Sequence, residues 1–368
     1  MIYDSDIFEN LPTLDTIVSH LRLAVSRQPV MHRSPIEPVS SNLDAFIATR
    51  QMSGRYSLKP NISRQCALFR GEANYGNGYI CRPALFREQP RYVVQNIKYE
   101  ELQIAMESYP LFNLLRNGIQ LSDNFIFRIY NPYGIAMCYG LDTSLLSFTS
   151  SLDIASFYAC CEPYGNGGYQ PVHVNEGEQR KGILYVFSMS APFSMIPGLS
   201  SVGQQPFERC GLQRTFALNV PQGNDLRNHK FVAGFTFRHD NAISDRIFHQ
   251  FNEGLALAPS TDILALKARE IINSRVVSQI AFDRNMANNS GDNFAENLEE
   301  VQRKQYTVSA DRCTAFTTAE LDSYYANSHN IWERFCQNII FGGRDGVVLK
   351  ERLIDVPNDE RYSQFFNR

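Results

Sequence analysis

Arg70 and Gly71, at the end of QCALFR (Gln65–Arg70) and the start of GEANYGNGY (Gly71–Tyr79), are the first residues with chemistry to offer. The apolar run before them reads as a buried strand that ends in an arginine. An arginine there can fork onto phosphate oxygens, and a glycine beside it lets backbone approach closely. The alternative is an ordinary pair between Arg70 and the nearby carboxylate of Glu72. The glycines that follow do not match a phosphate-loop spacing, so GEANYGNGY reads as a flexible surface loop.

Other polar groups carry two readings each. Thr149–Ser150–Ser151 ends an apolar strand and begins a helix, where hydroxyls cap in any protein or meet a ligand. Glu208 stands beside Arg209, as an exposed ion-pair partner or as a site acid. Gln213 immediately precedes the strand RTFALNV and could face the same site. His229, His239 and His249 lack the carboxylate or cysteine arrangement of a triad or metal site and read as scattered surface histidines. Asp240 and Asp245 flank a helix start, where carboxylates favour the dipole. GGRDG (Gly342–Gly346) reads as a hairpin or loop, and Trp332 as a packing residue of a C-terminal helix.

The elements that must position these groups follow from periodicity. Leu14, Ile17, Val18, Leu21 and Val25 share one face of a helix over Thr13–Arg27, with Thr13 placed to cap it. Gln28–Pro60 carries four prolines and reads as irregular chain around a short helix near Asn42–Gln51. Tyr99–Asn117 has helical spacing throughout. LLSFT (Leu145–Thr149) is a strand, and a helix follows over Ser150–Cys161. Strands are expected at Gly182–Met189, Arg214–Val220 and Phe231–Phe237, with helices over Asn241–Phe251 and Ser260–Ser274. A polar stretch including Ala287–Asn293 leads into a mostly helical end. The strands lack regular βαβ spacing, so the fold class is α+β.

Bulk properties bound the function. The 368 residues are 43% hydrophobic and 12% aromatic, enough for a sizeable core. A net charge of −3 advertises no global affinity for nucleic acid or anionic membrane. The acidic start MIYDSDIFENLP is unlike a signal peptide, and no apolar run reaches the roughly 18–20 residues that span a bilayer. The eight cysteines have no metal-ligand spacing, so reduced thiols in a cytoplasmic protein are expected, with no metal.

FRG followed by PALFR (Pro83–Arg87) resembles the opening signature of the FRG domain family. CYGLDTSLLSFTSSLDIASFYA (Cys138–Ala159) is similar to the family's second block, HYGLPTRLLDWT and a small-residue-rich helix. RCGLQRTFAL (Arg209–Leu218) and GLALAPSTDILAL (Gly254–Leu266) resemble two later blocks, so the resemblance covers roughly Ser63 to Glu270. Tyr139, Gly140, Leu141, Thr143, Leu145, Leu146 and Thr149 fit the second block. Cys138, Asp142, Ser144, Ser147 and Phe148 replace the family's histidine, proline, arginine, aspartate and tryptophan, which makes this a divergent member.

The same order of parts is similar to the ADP-ribosyltransferase pattern. That resemblance implies a largely antiparallel β core with flanking helices, and NAD as substrate. It places Arg70, Gly71, Tyr139, Thr149 and Ser150 at the dinucleotide, and Arg70, Gln213 and Glu208 at the catalytic centre. The glutamate pair of such transferases is missing between residues 200 and 240, and a glutamine can bond ribose hydroxyls but cannot act as a base. The implied organisation is an N-terminal helical extension (1–60), an FRG-type domain (61–274) and a mostly helical region (275–368). The implied function is a bacterial toxin or phage-defence effector that modifies an RNA, DNA or protein acceptor, with an antitoxin or other partner protein possible and no membrane. The alternative is a non-catalytic module that binds nucleotide, RNA or protein.

Overall fold

The computed structural model describes residues 2–4, 8–27, 38–63, 67–76, 80–87, 92–165, 167–189, 196–288, 294–327 and 330–366. The protein is mixed α+β, 42% helical and 23% strand. Its frame is a seven-stranded sheet of β1 (Ile2–Tyr3), β2 (Ala67–Tyr75), β3 (Leu145–Thr149), β4 (Lys181–Ser188), β5 (Leu199–Ser201), β6 (Thr215–Asn219) and β7 (Val232–Arg238). The spatial order is β1-β7-β4-β2-β3-β6-β5. β1 runs parallel to β7, and the other neighbours are antiparallel.

Alternation along the strands assigns the two faces. Ala67 and Phe69 of β2 pack with Leu184 and Phe237 against α1 (Leu14–Arg27), α5 (Leu152–Cys160) and α7 (Asn241–Gln250). Leu68, between them in sequence, joins Phe148, Ile183, Tyr185, Phe187 and Phe216 on the opposite face. A third and larger core lies beyond β6. It joins α2 (Val93–Glu107), α3 (Pro110–Asn117), α4 (Pro132–Cys138) and α8 (Ile263–Asn273) to the last part of the chain. Leu58 and Leu353 belong to this one cluster, so residues before 61 and after 275 share the core of the middle. The short α6 (Glu208–Leu212) connects it to the sheet.

Several expectations need correction. Asn42–Gln51 holds a strand, Phe46–Arg50, that pairs with Tyr56–Pro60 and, in parallel, with Ile339–Ile340. The supposed loop after Arg70 stays in β2 as far as Tyr75, because Glu72 and Tyr75 find partners on β4; residues 77–79 lie outside the described set. The helix expected over Tyr99–Asn117 is two, since Pro110 lacks the N–H that would continue the first and instead opens the second. GGRDG is a helix start: Gly343, at φ 77°, precedes Arg344–Ile354. Trp332 is buried and donates from Nε1 to the Leu353 carbonyl at 2.9 Å, which ties that helix to the core.

Candidate functional site

β2 and β3 are neighbours, yet their described pairing is the single register point Phe69↔Thr149. From there they part, and the sheet opens into two leaves. Backbone groups on the parting edges need other partners, and Arg70 supplies one. Its Nη1 donates to both the carbonyl and the hydroxyl of Ser147 at 2.9 Å, across the opening. The split widens into a cleft of about 500 Å³ whose walls include Arg70, Glu72, Ser147, Thr149, Arg209 and Gln213.

Gly71 lines this cleft and also has a packing role. α5 lies so close behind β2 that a Cβ at residue 71 would come within 2.0 Å of the Ala155 carbonyl oxygen. The glycine therefore seats the helix, and the helix forms the back of the cleft.

The hydroxyls at the start of α5 divide their work. Ser151 is the N-cap, accepting from the Ile154 N–H at 3.3 Å, and Thr149 Oγ1 accepts from the Ser151 N–H at 3.1 Å. Thr149 also faces the cleft. Ser150 is turned away from it: its Oγ accepts from Arg214 Nε at 3.1 Å, in a contact that ties β3 to β6. Arg214 adopts φ 51° and also bonds Asp44. Ser151→Ala is expected to destabilise the protein by about 1 kcal/mol, as cap removal does; a urea midpoint unchanged from wild type would contradict the cap.

Gln213 reaches the cleft wall, donating from Nε2 to the Leu257 carbonyl at 3.3 Å. Glu208 does not line the cleft, and it does not pair with its neighbour Arg209. It reaches outward to Arg334 at 3.1 Å. Helical geometry explains this, because adjacent residues diverge by about 100°. Arg209 turns inward instead, its guanidinium 4.8 Å from the Tyr139 ring centroid and 4.0 Å from Asp262. Tyr139 is thus beneath the cleft. It is 3% exposed and donates its hydroxyl to Asp262 Oδ2 at 2.6 Å. Burial pushes both the Tyr139 hydroxyl and the Asp262 carboxyl upward from their ordinary values.

Two carboxylates that sequence reasoning did not place as site acids line the cleft, Glu72 and Glu162. Glu72 Oε1 accepts from Arg70 Nε at 2.8 Å and Nη2 at 2.5 Å, so the pairing foreseen as the ordinary alternative exists within the site itself. Glu162 accepts from Arg180 Nη2 at 2.5 Å and Gln170 Nε2 at 2.9 Å. Burial raises the Glu162 carboxyl, but these donors outweigh it and hold the group below its usual value. Arg180 also donates to Asn74 at 2.8 Å, which closes the rim. His239 is a correction. It is buried, 9% exposed, and its Nε2 lies 2.7 Å from the Ala73 carbonyl behind that rim. Burial lowers its pKa to about 4, with Arg180 adding to the shift, so the ring is neutral and Nε2 donates.

The sequence signals for the missed groups are weak: Glu162 lies just past the Cys161 C-cap of α5, and Arg180 precedes β4. The described cysteines are all free thiols. Among the described residues no group of three His, Cys, Asp or Glu side chains is placed to hold a metal, and no helix is long and apolar enough to cross a membrane. Comparison of the chain with protein-family models, curated proteins and solved structures gives no match.

Proposed function

We propose that the protein is a divergent FRG-type, ADP-ribosyltransferase-like enzyme that takes NAD in the split of its sheet. It passes the ADP-ribosyl group to a nucleic-acid or protein acceptor, in a toxin or phage-defence role. The observation that carries this reading is the meeting of Arg70 and Gly71 with Thr149 and Gln213, from three separate parts of the sequence, on one cleft. In this reading Arg70 is a strut as well as a ligand group, since it fixes the distance between the leaves. Breaking the nicotinamide–ribose bond leaves positive charge on the sugar, which nearby anionic oxygens stabilise. Glu72, paired with Arg70 and facing the cleft, is the carboxylate next to the proposed dinucleotide contacts. Gln213 and Thr149 supply hydrogen bonds that orient a ribose.

Purified protein incubated with labelled NAD and cell extract is expected to release nicotinamide and label an acceptor. Arg70→Lys, which keeps the charge but not the fork, is expected to lower the rate at least about 100-fold if catalysis depends on this geometry. Undiminished rates in that variant, or no nicotinamide release by folded wild-type protein, would overturn the transferase.

A second reading, a non-catalytic nucleotide-binding module, is favoured by one observation. Glu72 and Glu162 are both held by arginines, so each carboxylate already has a partner. It predicts that NAD protects the fold from heat and is recovered intact.

A further inference from the structure

Arg209 differs from the other arginines around the cleft in how its donors are used. Arg70 commits Nε, Nη1 and Nη2 to Glu72 and Ser147. Arg180 commits Nε and Nη2 to Asn74 and Glu162. The Arg209 side chain is 15% exposed and lines the cleft, yet its guanidinium makes no hydrogen bond to any described residue. Its Nε is buried with no hydrogen-bond partner among them.

The surroundings explain why the charge is tolerated but the donors are left over. The face of Tyr139 supports the guanidinium from one side. Asp262 balances the charge but not the hydrogen bonds. Its Oδ2 accepts from the Tyr139 hydroxyl, and its Oδ1 accepts from the Leu264 and Ala265 N–H groups at the start of α8. At 4.0 Å the Arg209–Asp262 contact is electrostatic only. A guanidinium held in place by packing, with its donors unspent beside a cavity, costs free energy until an acceptor arrives.

We infer that Arg209 is an anion-binding residue of the cleft, built to take a phosphoryl group of the bound ligand. A planar fork of N–H donors matches phosphate oxygens bidentately. In the Arg70–Glu72 and Arg180–Glu162 pairs the arginine donors are already used, which leaves those of Arg209 for the oxygens of an incoming anion. In the NAD reading that group is the pyrophosphate; the inference rests on that reading only for the natural ligand's identity.

Calorimetric titration with inorganic pyrophosphate, ADP-ribose and adenosine tests it. Pyrophosphate and ADP-ribose are expected to bind wild-type protein and to lose at least about tenfold in affinity in Arg209→Gln, while adenosine binding stays unchanged. Arg209→Lys keeps the cation over Tyr139 and is expected to lose affinity for pyrophosphate as well, which serves if the glutamine variant does not fold. Wild-type affinity for pyrophosphate in either folded variant, or no binding of either phosphate ligand by the wild type, overturns the site. Arg209-dependent pyrophosphate binding without nicotinamide release keeps the anion site and sinks the transferase. Nicotinamide release at subsaturating NAD that is undiminished in Arg209→Gln keeps the transferase and sinks the anion site.

Discussion

Gly71→Ala is expected to destabilise the protein by about 3 kcal/mol or more, at the upper end of what forced overpacking costs. The added methyl would meet the Ala155 carbonyl oxygen at 2.0 Å, the Ala159 backbone nitrogen at 2.5 Å and the Ala159 Cβ at 2.8 Å. Backbone atoms cannot rotate aside as a side-chain tip can, so α5 would have to lift away from β2. That movement would expose the wholly buried Phe157 and Phe69 and displace the capped end of α5 beside Thr149. The measurement is a urea titration with far- and near-ultraviolet circular dichroism in parallel. A midpoint within error of wild type would mean that α5 does not rest on Gly71. Gly76, on the same segment, has open space where its Cβ would go, and Gly76→Ala is the matched control.

The second large effect is a dependence of stability on pH. His239 has a pKa of about 4 in the folded chain against 6.5 ordinarily, chiefly because burial disfavours its charged form. A group whose folded value is depressed binds fewer protons folded than unfolded between those two values. Stability from His239 is therefore fully present above pH 6.5 and is lost as the pH falls towards 4. At about 1.4 kcal/mol per unit, the loss across this window is about 3 kcal/mol. Glu162 and Glu320, whose carboxyls lie below their ordinary value, add losses only at the acid end of this range and below it. Comparison with His239→Gln, which can still donate to Ala73, isolates the histidine. The wild type should lose about 3 kcal/mol more than the variant between pH 6.5 and 4; parallel curves would refute the assignment.

How much of this was legible in the sequence depended on how local the cause is. β3 and α5 were readable because LLSFT and the capping hydroxyls carry their own signals within a dozen residues. β4, β6 and β7 were readable within a residue or two for the same reason. Phe46–Arg50 was not, because its hairpin partner Tyr56–Pro60 ends in a proline and its other neighbour, Ile339–Ile340, lies nearly the whole chain away. The extension of β2 past Gly71 was hidden too, since glycine, asparagine and glutamate disfavour strands and only β4 holds them there. In the site, Arg70, Thr149 and Gln213 were legible from residue type and motif order. Glu208 was misplaced because facing on a helix of five residues cannot be read without its neighbours. Arg209 sat in view beside it, but its unspent donors are a property of Asp262 and Tyr139, which arrive from elsewhere in the chain.

The single described junction between the leaves has a consequence for how the chain assembles. β2, β4 and β7 belong to one leaf, β3, β5 and β6 to the other, and the chain passes from leaf to leaf four times between Ala67 and Arg238. Neither leaf is a contiguous stretch, so no early fragment of a growing polypeptide can complete one. The first strand, Ile2–Tyr3, waits for Gly234 and Phe235 to leave the ribosome. Contacts of such long sequence separation fold slowly, and unpaired strand edges stay exposed meanwhile. The cleft itself draws on residues from Phe69 to Thr215, so it cannot be complete before synthesis has passed that point.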